Sequence, residues 1–567
     1  MKAFLKILLG LIIAVAAILY WLVQPENPAV SQAWFNGTIL TMDDNQPIAE
    51  AVFVRDDRIV ALGSRTDIEA LIDEQTVIHD LAGATMLPGL VDAHSHFPAS
   101  GMALFLADLR SPPVGQVKTI PQLLERVATQ VQNTAEGEWV GGYGYDQLML
   151  NEQRHPSLQE LDAIAPNHPV FLMHVSGHMG VANSAAFKLV GFDKLKEDPA
   201  GGHIHRNSDG TANGLVEENA ALAFQKPALD LSLMQFIAMV DFAREEYLSN
   251  GVTTAQASNA SGQYVQGLSL AMGLNKIPQR LVVFPDYDSL GLELIEGQVK
   301  AADLATDQRH IGAIKLIADG SIQGFTGYLT HPYHSPHKGD DLYRGYPRIA
   351  LDELKRKIFN IAQAGFQAVI HGNGDASIDD ILEAIDYVQS TLGQPVKRTI
   401  LIHAQMARPD QLKRMQQLDV TPSFFVAHTY YWGDQHRDVL IGSERARHIS
   451  PLRSAEKIGL RFSTHLDTPI VPMQPLLSVW SSVNRQTASG ATLGENERIS
   501  VASALKAITI EAAWQVHLDH EIGSISVGKY ADFTLLEDNP LLHPGKLKDI
   551  KIIETIIGGV SYFQDKK

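Results

Sequence analysis

Two histidines separated by one residue, His94 and His96, close the apolar run MLPGLVDAHSHF that begins at Met86. Side chains alternate across a strand, so on a strand these imidazoles share a face and can grip one metal ion. Four more groups able to bind a metal or carry a proton follow, each in an apolar stretch. They are Lys315 in IGAIKLIADG, His371 in AVIHGNGDA, His403 in RTILIHAQ and Asp467 in LRFSTHLDTP. Each taken alone has an ordinary role open to it: a salt-bridged lysine, a core histidine, a capping aspartate. Their shared position at strand ends makes them a set.

The elements that must position them repeat a rhythm of apolar strand, loop and helical segment, which points to α/β architecture. The candidate strands are Leu87 to Ala93, Val252 to Gln256, Gln279 to Phe284, Ile311 to Ile317, Ala368 to His371, Thr399 to His403, Val420 to Phe425 and Leu460 to Thr464. Eight is the number that closes a (β/α)8 TIM-type barrel, whose chemistry sits at the C-terminal strand ends. The interval 105–242 is too long for one crossover, carries strand-like pieces at Trp139 to Tyr145 and Val170 to Val175, and is expected to be an insertion beside the barrel mouth. Short alternating runs at both ends predict a small β-sandwich assembled from the two termini, 33–85 with 520–567, around a barrel domain at 86–519.

With 567 residues, 45% of them hydrophobic, the chain can bury a large core. A net charge of −18 repels phosphate backbones, so nucleic acid is not an expected partner. The absence of cysteine excludes disulfides, thiolate metal sites and cysteine nucleophiles, leaving metal binding to His, Asp, Glu and modified Lys. Lys2 and Lys6 precede seventeen uncharged residues, Ile7 to Val23, which predicts a transmembrane helix within 1–24. An uncleaved inner-membrane anchor with the catalytic domain on the periplasmic or extracellular side is the expectation. Cleavage near Ser31 and release of a secreted or periplasmic protein is the alternative.

The sequence resembles the amidohydrolase superfamily, within it the amidohydrolase 3 group of YtcJ-like and AepA-like proteins. The likeness runs from about Ala33 to Pro540 and rests on the opening FNGTILTMD, the HSH pair, SGHMGVANSAA, IADGS, GNGD and the closing VGKYADF. It implies that His94, His96 and Asp467 bind a more buried metal, that His371 and His403 bind a second, and that a carboxylated Lys315 bridges both. The stretches IQGFTGYL and FFVAHTYYWGDQH depart from the better-known members.

Such a set implies hydrolysis. As a carbamate, lysine becomes an anionic two-oxygen bridge suited to ions about 3.5–4 Å apart. Imidazole and carboxylate suit Zn2+, with other divalent metals open. A metal-activated hydroxide would attack, and Asp467 would accept its proton and pass it to the leaving amine. His178 is a second candidate, donating a hydrogen bond to the substrate carbonyl or oxyanion, or else a loop histidine packed on the insertion. His428, Tyr143, Tyr145, Asp146, Trp432 and His436 are pocket candidates. The expected activity is cleavage of a non-peptide C–N bond in a small-molecule amide, N-acyl compound or cyclic amide. Ester, lactone or phosphoester hydrolysis by the same site, or a non-catalytic binding scaffold, remain alternatives, and homo-oligomerisation is left open.

Overall fold

A computed structural model describes residues 28–396 and 398–565. The membrane helix expected within 1–24 lies outside them; among the described residues no helix is long and apolar enough to cross a membrane. Nine parallel strand segments carry the site: β1 (Leu90–Val91), β2 (Val252–Ala260), β3 (Arg280–Pro285), β4 (Arg309–Ile311), β5 (Ile314–Ile317), β6 (Ala368–Gly372), β7 (Thr399–His403), β8 (Val420–Phe424) and β9 (Ser463–Thr464). They form two sheets, ordered β4-β3-β2-β1 and β5-β6-β7-β8-β9. At one seam Asp286, just past β3, makes a parallel bridge to Lys315 on β5. At the other, the Asp467 N–H donates to the His94 carbonyl (3.1 Å) and the His96 N–H to the Thr468 carbonyl (2.8 Å).

Strands buried on both faces read as continuous apolar runs, which is why AVIHG and TILIH are buried throughout. Amphipathic helices cover them. In Leu351–Gln363, Leu354, Ile358 and Ile361 recur at helical spacing on the buried side; in Asp375–Leu392, Ile378, Ile381, Leu382, Ile385 and Val388 do the same.

The expected strand Leu460 to Thr464 shortens to β9, leaving Asp467 three residues past its end, and two other expected strands are divided between sheets. The run Leu87 to Ala93 is split at Gly89: Thr85–Pro88 joins a sheet built from the chain termini, while β1 belongs to the parallel sheet. A Cβ at Gly89 would lie 2.1 Å from Thr253 Oγ1, so the turn between sheets packs directly on β2. His94 and His96 therefore sit on the bend beyond β1, not on a strand, and His96 bridges Ala257 of β2. The expected strand Ile311 to Ile317 breaks at Gly312, which packs against the Phe284 ring, into β4 and β5 of different sheets.

One terminal sheet interleaves both ends of the chain and the other is built from residues 31–80 alone. One is ordered Val560–Gln564, Ile552–Ile557, Phe533–Leu536, Thr85–Pro88, Thr38–Leu40, Ile48–Ala49; the other is Arg58–Gly63, Ala51–Arg55, Ser31–Phe35, Val77–Asp80. Trp34, Val52, Met86, Phe533 and Ile556 meet in one buried apolar cluster between them. Within 105–242 a six-stranded mixed sheet runs Gly202–Arg206, Ala212–Glu218, Met179–Ala182, Val170–His174, Val140–Tyr145, Ala107–Asp108, with apolar clusters of its own.

Candidate metal centre

The bend after β1 is fixed from beneath. Buried Asp92 accepts from Ser95 Oγ (2.9 Å) and from the Gln256 N–H of β2 (3.2 Å), and burial pushes its carboxyl up to about 7. Gln256 Oε1 then accepts from the Ser95 N–H (2.9 Å) and lies 3.0 Å from His94 Nδ1. An amide oxygen accepts, so Nδ1 carries the proton and Nε2 keeps its lone pair facing the strand ends. This is the outer-shell orientation that metal-binding histidines use.

His94, His96 and Asp467 form a cluster whose ligand atoms all lie within 4.8 Å of one another. Asp467 Oδ1 is 3.5 Å from His94 Nε2 and 3.2 Å from His96 Nε2, yet this buried oxygen has no hydrogen-bond partner. An unpartnered anionic oxygen beside an imidazole lone pair is the arrangement a cation satisfies, so the donor set fits a divalent metal. Burial pushes the Asp467 carboxyl up, but His96, His465 and Lys315 around it outweigh that and hold it below the ordinary value.

Lys315 on β5 is buried with Nζ 3.3 Å from His94 Nε2, and burial pulls its ammonium down to about 7 against the opposing pull of Asp467. His403 at the end of β7 places Nε2 3.8 Å from Asp467 Oδ2, while its Nδ1 lies 3.1 Å from His465 Nε2. His403, Ala404 and Asp467 all have left-handed backbone (φ 71°, 44° and 56°), a conformation that costs about 1–3 kcal/mol each. The His371 ring, at the end of β6, stands 4.5 Å from that of His403. Its Nδ1 has no hydrogen-bond partner and lies 3.3 Å from Asp319 Oδ1, while Asn373 Nδ2 reaches its Nε2 at 3.2 Å. Burial holds His94, His371 and His403 well below the ordinary imidazole range, in the neutral form that ligates metal. Asp319, raised to about 7 by burial, anchors the neighbouring loop by accepting the N–H groups of Tyr328, Asn373 and Gly374.

His178 comes from the insertion, and its ring centroid is 5.1 Å from that of His371. Glu218 holds it twice: Oε2 lies 2.9 Å from His178 Nδ1, and the Glu218 N–H donates to the His178 carbonyl at 2.7 Å. Glu218 is buried, has a left-handed φ of 51°, and is approached by Arg348 at 3.4 Å. The His428 ring lies 4.0 Å from that of Phe425 at a tilt of 34° and contacts the amide of Gln323, 6.3 Å from the His403 ring. Tyr145 and His436 are buried behind the mouth, bonded to His155 and Gln405.

Gln256, His465 and Glu218 were not singled out from the sequence. Gln256 had a signal, a lone polar side chain inside the small-residue strand VTTAQASNA; the other two had none beyond their polarity.

The Amidohydrolase family model matches residues 77–563. The chain belongs to the amidohydrolase family. Membership makes it a hydrolase acting on carbon–nitrogen bonds. This amidohydrolase is 27% identical over 541 residues to an N-substituted formamide deformylase of Arthrobacter pascens, covering 93% of this chain and 97% of the relative. It is 29% identical over 560 residues to Protein LONG AFTER FAR-RED 3 of Arabidopsis thaliana, covering 95% and 94%. Among solved structures, an uncharacterized metal-dependent hydrolase from Pyrococcus horikoshii shares the fold of this amidohydrolase, with a TM-score of 0.70 at 23% identity over 94% of this chain and all of that one.

Proposed function

We propose that this amidohydrolase is a metal-dependent enzyme that cleaves a non-peptide C–N bond in a small-molecule amide, N-acyl or cyclic amide included. The observation that carries the reading is Asp467 Oδ1, buried and unpartnered between the His94 and His96 nitrogens. The relative from Arthrobacter, which matches nearly end to end, supports an N-formyl or similar acyl group as the part released.

In this reading the two parallel sheets are the halves of one eight-stranded barrel over 86–519, joined at the seams by Asp286–Lys315 and His94–Asp467. His94, His96 and Asp467 would hold one ion and His371 and His403 a second, with Lys315 as a carbamate supplying anionic oxygens to the pair. Zinc suits this imidazole and carboxylate set. Bound there, the ions would supply positive charge that polarises the substrate carbonyl and makes water more acidic. The lowered Lys315 supports the bridge, because its free amine is the form whose lone pair adds to carbon dioxide with loss of a proton.

Asp467 is ionised, so it can take the proton of the attacking water and deliver it to the departing nitrogen, breaking the C–N bond. With Glu218 Oε2 taking the Nδ1–H and fixing the ring, His178 would meet the negative charge growing on the carbonyl oxygen as an imidazolium that donates from Nε2. The apolar run near the N-terminus supports an anchor that leaves the catalytic part outside the cytoplasm.

The test is a screen of the full-length chain, purified with zinc and bicarbonate, against N-formyl amines, N-acyl amino acids, cyclic amides, lactones and phosphoesters. The reading expects amide turnover that Asp467→Asn abolishes. Turnover confined to phosphoesters or lactones would overturn it.

A further inference from the structure

A cleft lined on one side by residues 110–114, Gly144 and Asp146 lies near the metal centre. Trp432, Tyr431, Val175, Met149 and Ile470 supply apolar walls. It adjoins the reacting groups on two sides. The Ile470 N–H donates to the Asp467 carbonyl at 2.9 Å, and the Trp432 ring stands 5.4 Å from that of His428, which neighbours His403. Val175 lies three residues before His178 on the same loop. A substrate whose carbonyl lies between Asp467 and His178 would therefore send its substituent into this cleft.

Two charged residues line the cleft, and both are already engaged. Arg110 makes a two-pronged pair with Asp108 (Nε to Oδ1 2.8 Å, Nη2 to Oδ2 2.8 Å) and lies over the Tyr143 ring. Asp146 accepts from Trp432 Nε1 (3.0 Å) and from the Leu148 N–H (2.9 Å) while buried. An incoming carboxylate would have to compete with Asp108 for Arg110 and would face the Asp146 anion without compensation. An apolar group meets no such cost and removes the Trp432 and Ile470 surfaces from water.

We infer that this cleft is the substituent pocket and that it selects amides carrying an uncharged, apolar group of aryl or branched-alkyl type over the corresponding anionic N-acyl amino acids. The Trp432–Asp146 bond fixes the aromatic wall against which that group lies. The inference rests on the amide-hydrolase reading for the placement of the carbonyl, and the charge argument concerns the cleft alone.

The experiment compares three probes on the full-length, zinc-loaded chain. N-formyl-2-phenylethylamine and N-formylphenylalanine share an aryl group and differ by one carboxylate; N-methylformamide lacks the part that would enter the cleft. Expected is a kcat/KM for the neutral aryl amide about tenfold or more above both others. Trp432→Ala should raise KM for the aryl amide about tenfold more than it raises KM for N-methylformamide. If that variant does not fold, Met149→Phe, which narrows the cleft, serves the same comparison. Preference for N-formylphenylalanine, or an equal effect of the variants on aryl and methyl probes, would overturn the inference while leaving amide hydrolysis intact. Hydrolysis of none of the three would count against the amide reading instead. The cleft is then judged by calorimetry: binding of N-formyl-2-phenylethylamine tighter than that of N-formylphenylalanine supports it, and equal or weaker binding refutes it.

Discussion

The sheets formed by the chain termini and the mouth of the parallel sheets bury polar groups differently. In the terminal sheets, among the described residues, buried polar side chains are paired: Gln32 donates to the Gly559 carbonyl, Thr534 to that of Gly251, Thr555 to that of Leu248, and Asp532 accepts from Arg280. At the mouth, Asp467 Oδ1, His371 Nδ1, His428 Nδ1, Asn373 Oδ1 and Gln323 Oε1 are buried with no such partner. An unmade hydrogen bond on a buried group costs about 1–3 kcal/mol, so a fold tolerates a group of them where something else satisfies them. The terminal sheets satisfy such groups internally, and the mouth leaves several of its own open.

Substitutions on either side of that contrast should separate activity from stability. The largest effect is expected from Asp467→Asn, which keeps shape and removes the proton acceptor: turnover of a verified amide should fall about 10³-fold or more, with circular dichroism unchanged. His178→Ala should cost about 10²–10³-fold in kcat, since it removes a hydrogen bond made to growing negative charge, and its melting temperature should stay near wild type. Phe533→Ala, in the terminal core, should do the reverse. A loss of about 3–5 kcal/mol in denaturant unfolding is expected, with activity per folded molecule unchanged. Equal losses of activity and stability in all three would erase the distinction.

The smallest effect concerns pH. Burial holds His94, His371, His403 and His428 well below the ordinary imidazole value, so the folded metal-free chain keeps them neutral. Unfolding lets them take protons below about 6.5, so their stability contribution is full above that value and is lost as pH falls through it. Asp92 and Asp319, raised to about 7, take protons in the folded chain over the same range and offset part of this. The histidines outnumber them. Melting temperature of the chelator-treated chain should therefore fall between pH 7.5 and 5.5; a flat or rising profile would contradict the buried neutral assignment.

Much of this organisation was legible in the sequence, for identifiable reasons. Parallel strands buried on both faces leave unbroken apolar runs, so β6 and β7 and the histidines ending them stood out. Lys315 and Asp467 stood out because an ionisable group within or just past such a run is costly without a purpose. The break at Gly89 was hidden, since only the approach of Thr253, over 160 residues away, shows why the chain changes sheets there. Glu218 was hidden too. Its value lies in a left-handed backbone and a reach back to His178, neither of which leaves a mark in GLVEEN. Nor does local sequence reveal that Arg110 is already taken by Asp108, the fact on which the character of the cleft turns.

The central claim is that His94, His96, Asp467, His371, His403 and Lys315 at the mouth hold metal. Elemental analysis of the full-length chain, loaded with zinc and bicarbonate and then dialysed, tests it most directly beside a His94→Ala/His96→Ala double variant that retains wild-type circular dichroism. The account predicts about two zinc ions per wild-type chain and loss of metal from the double variant. A folded wild-type chain that retains no metal, or a double variant that binds as much as wild type, would contradict it.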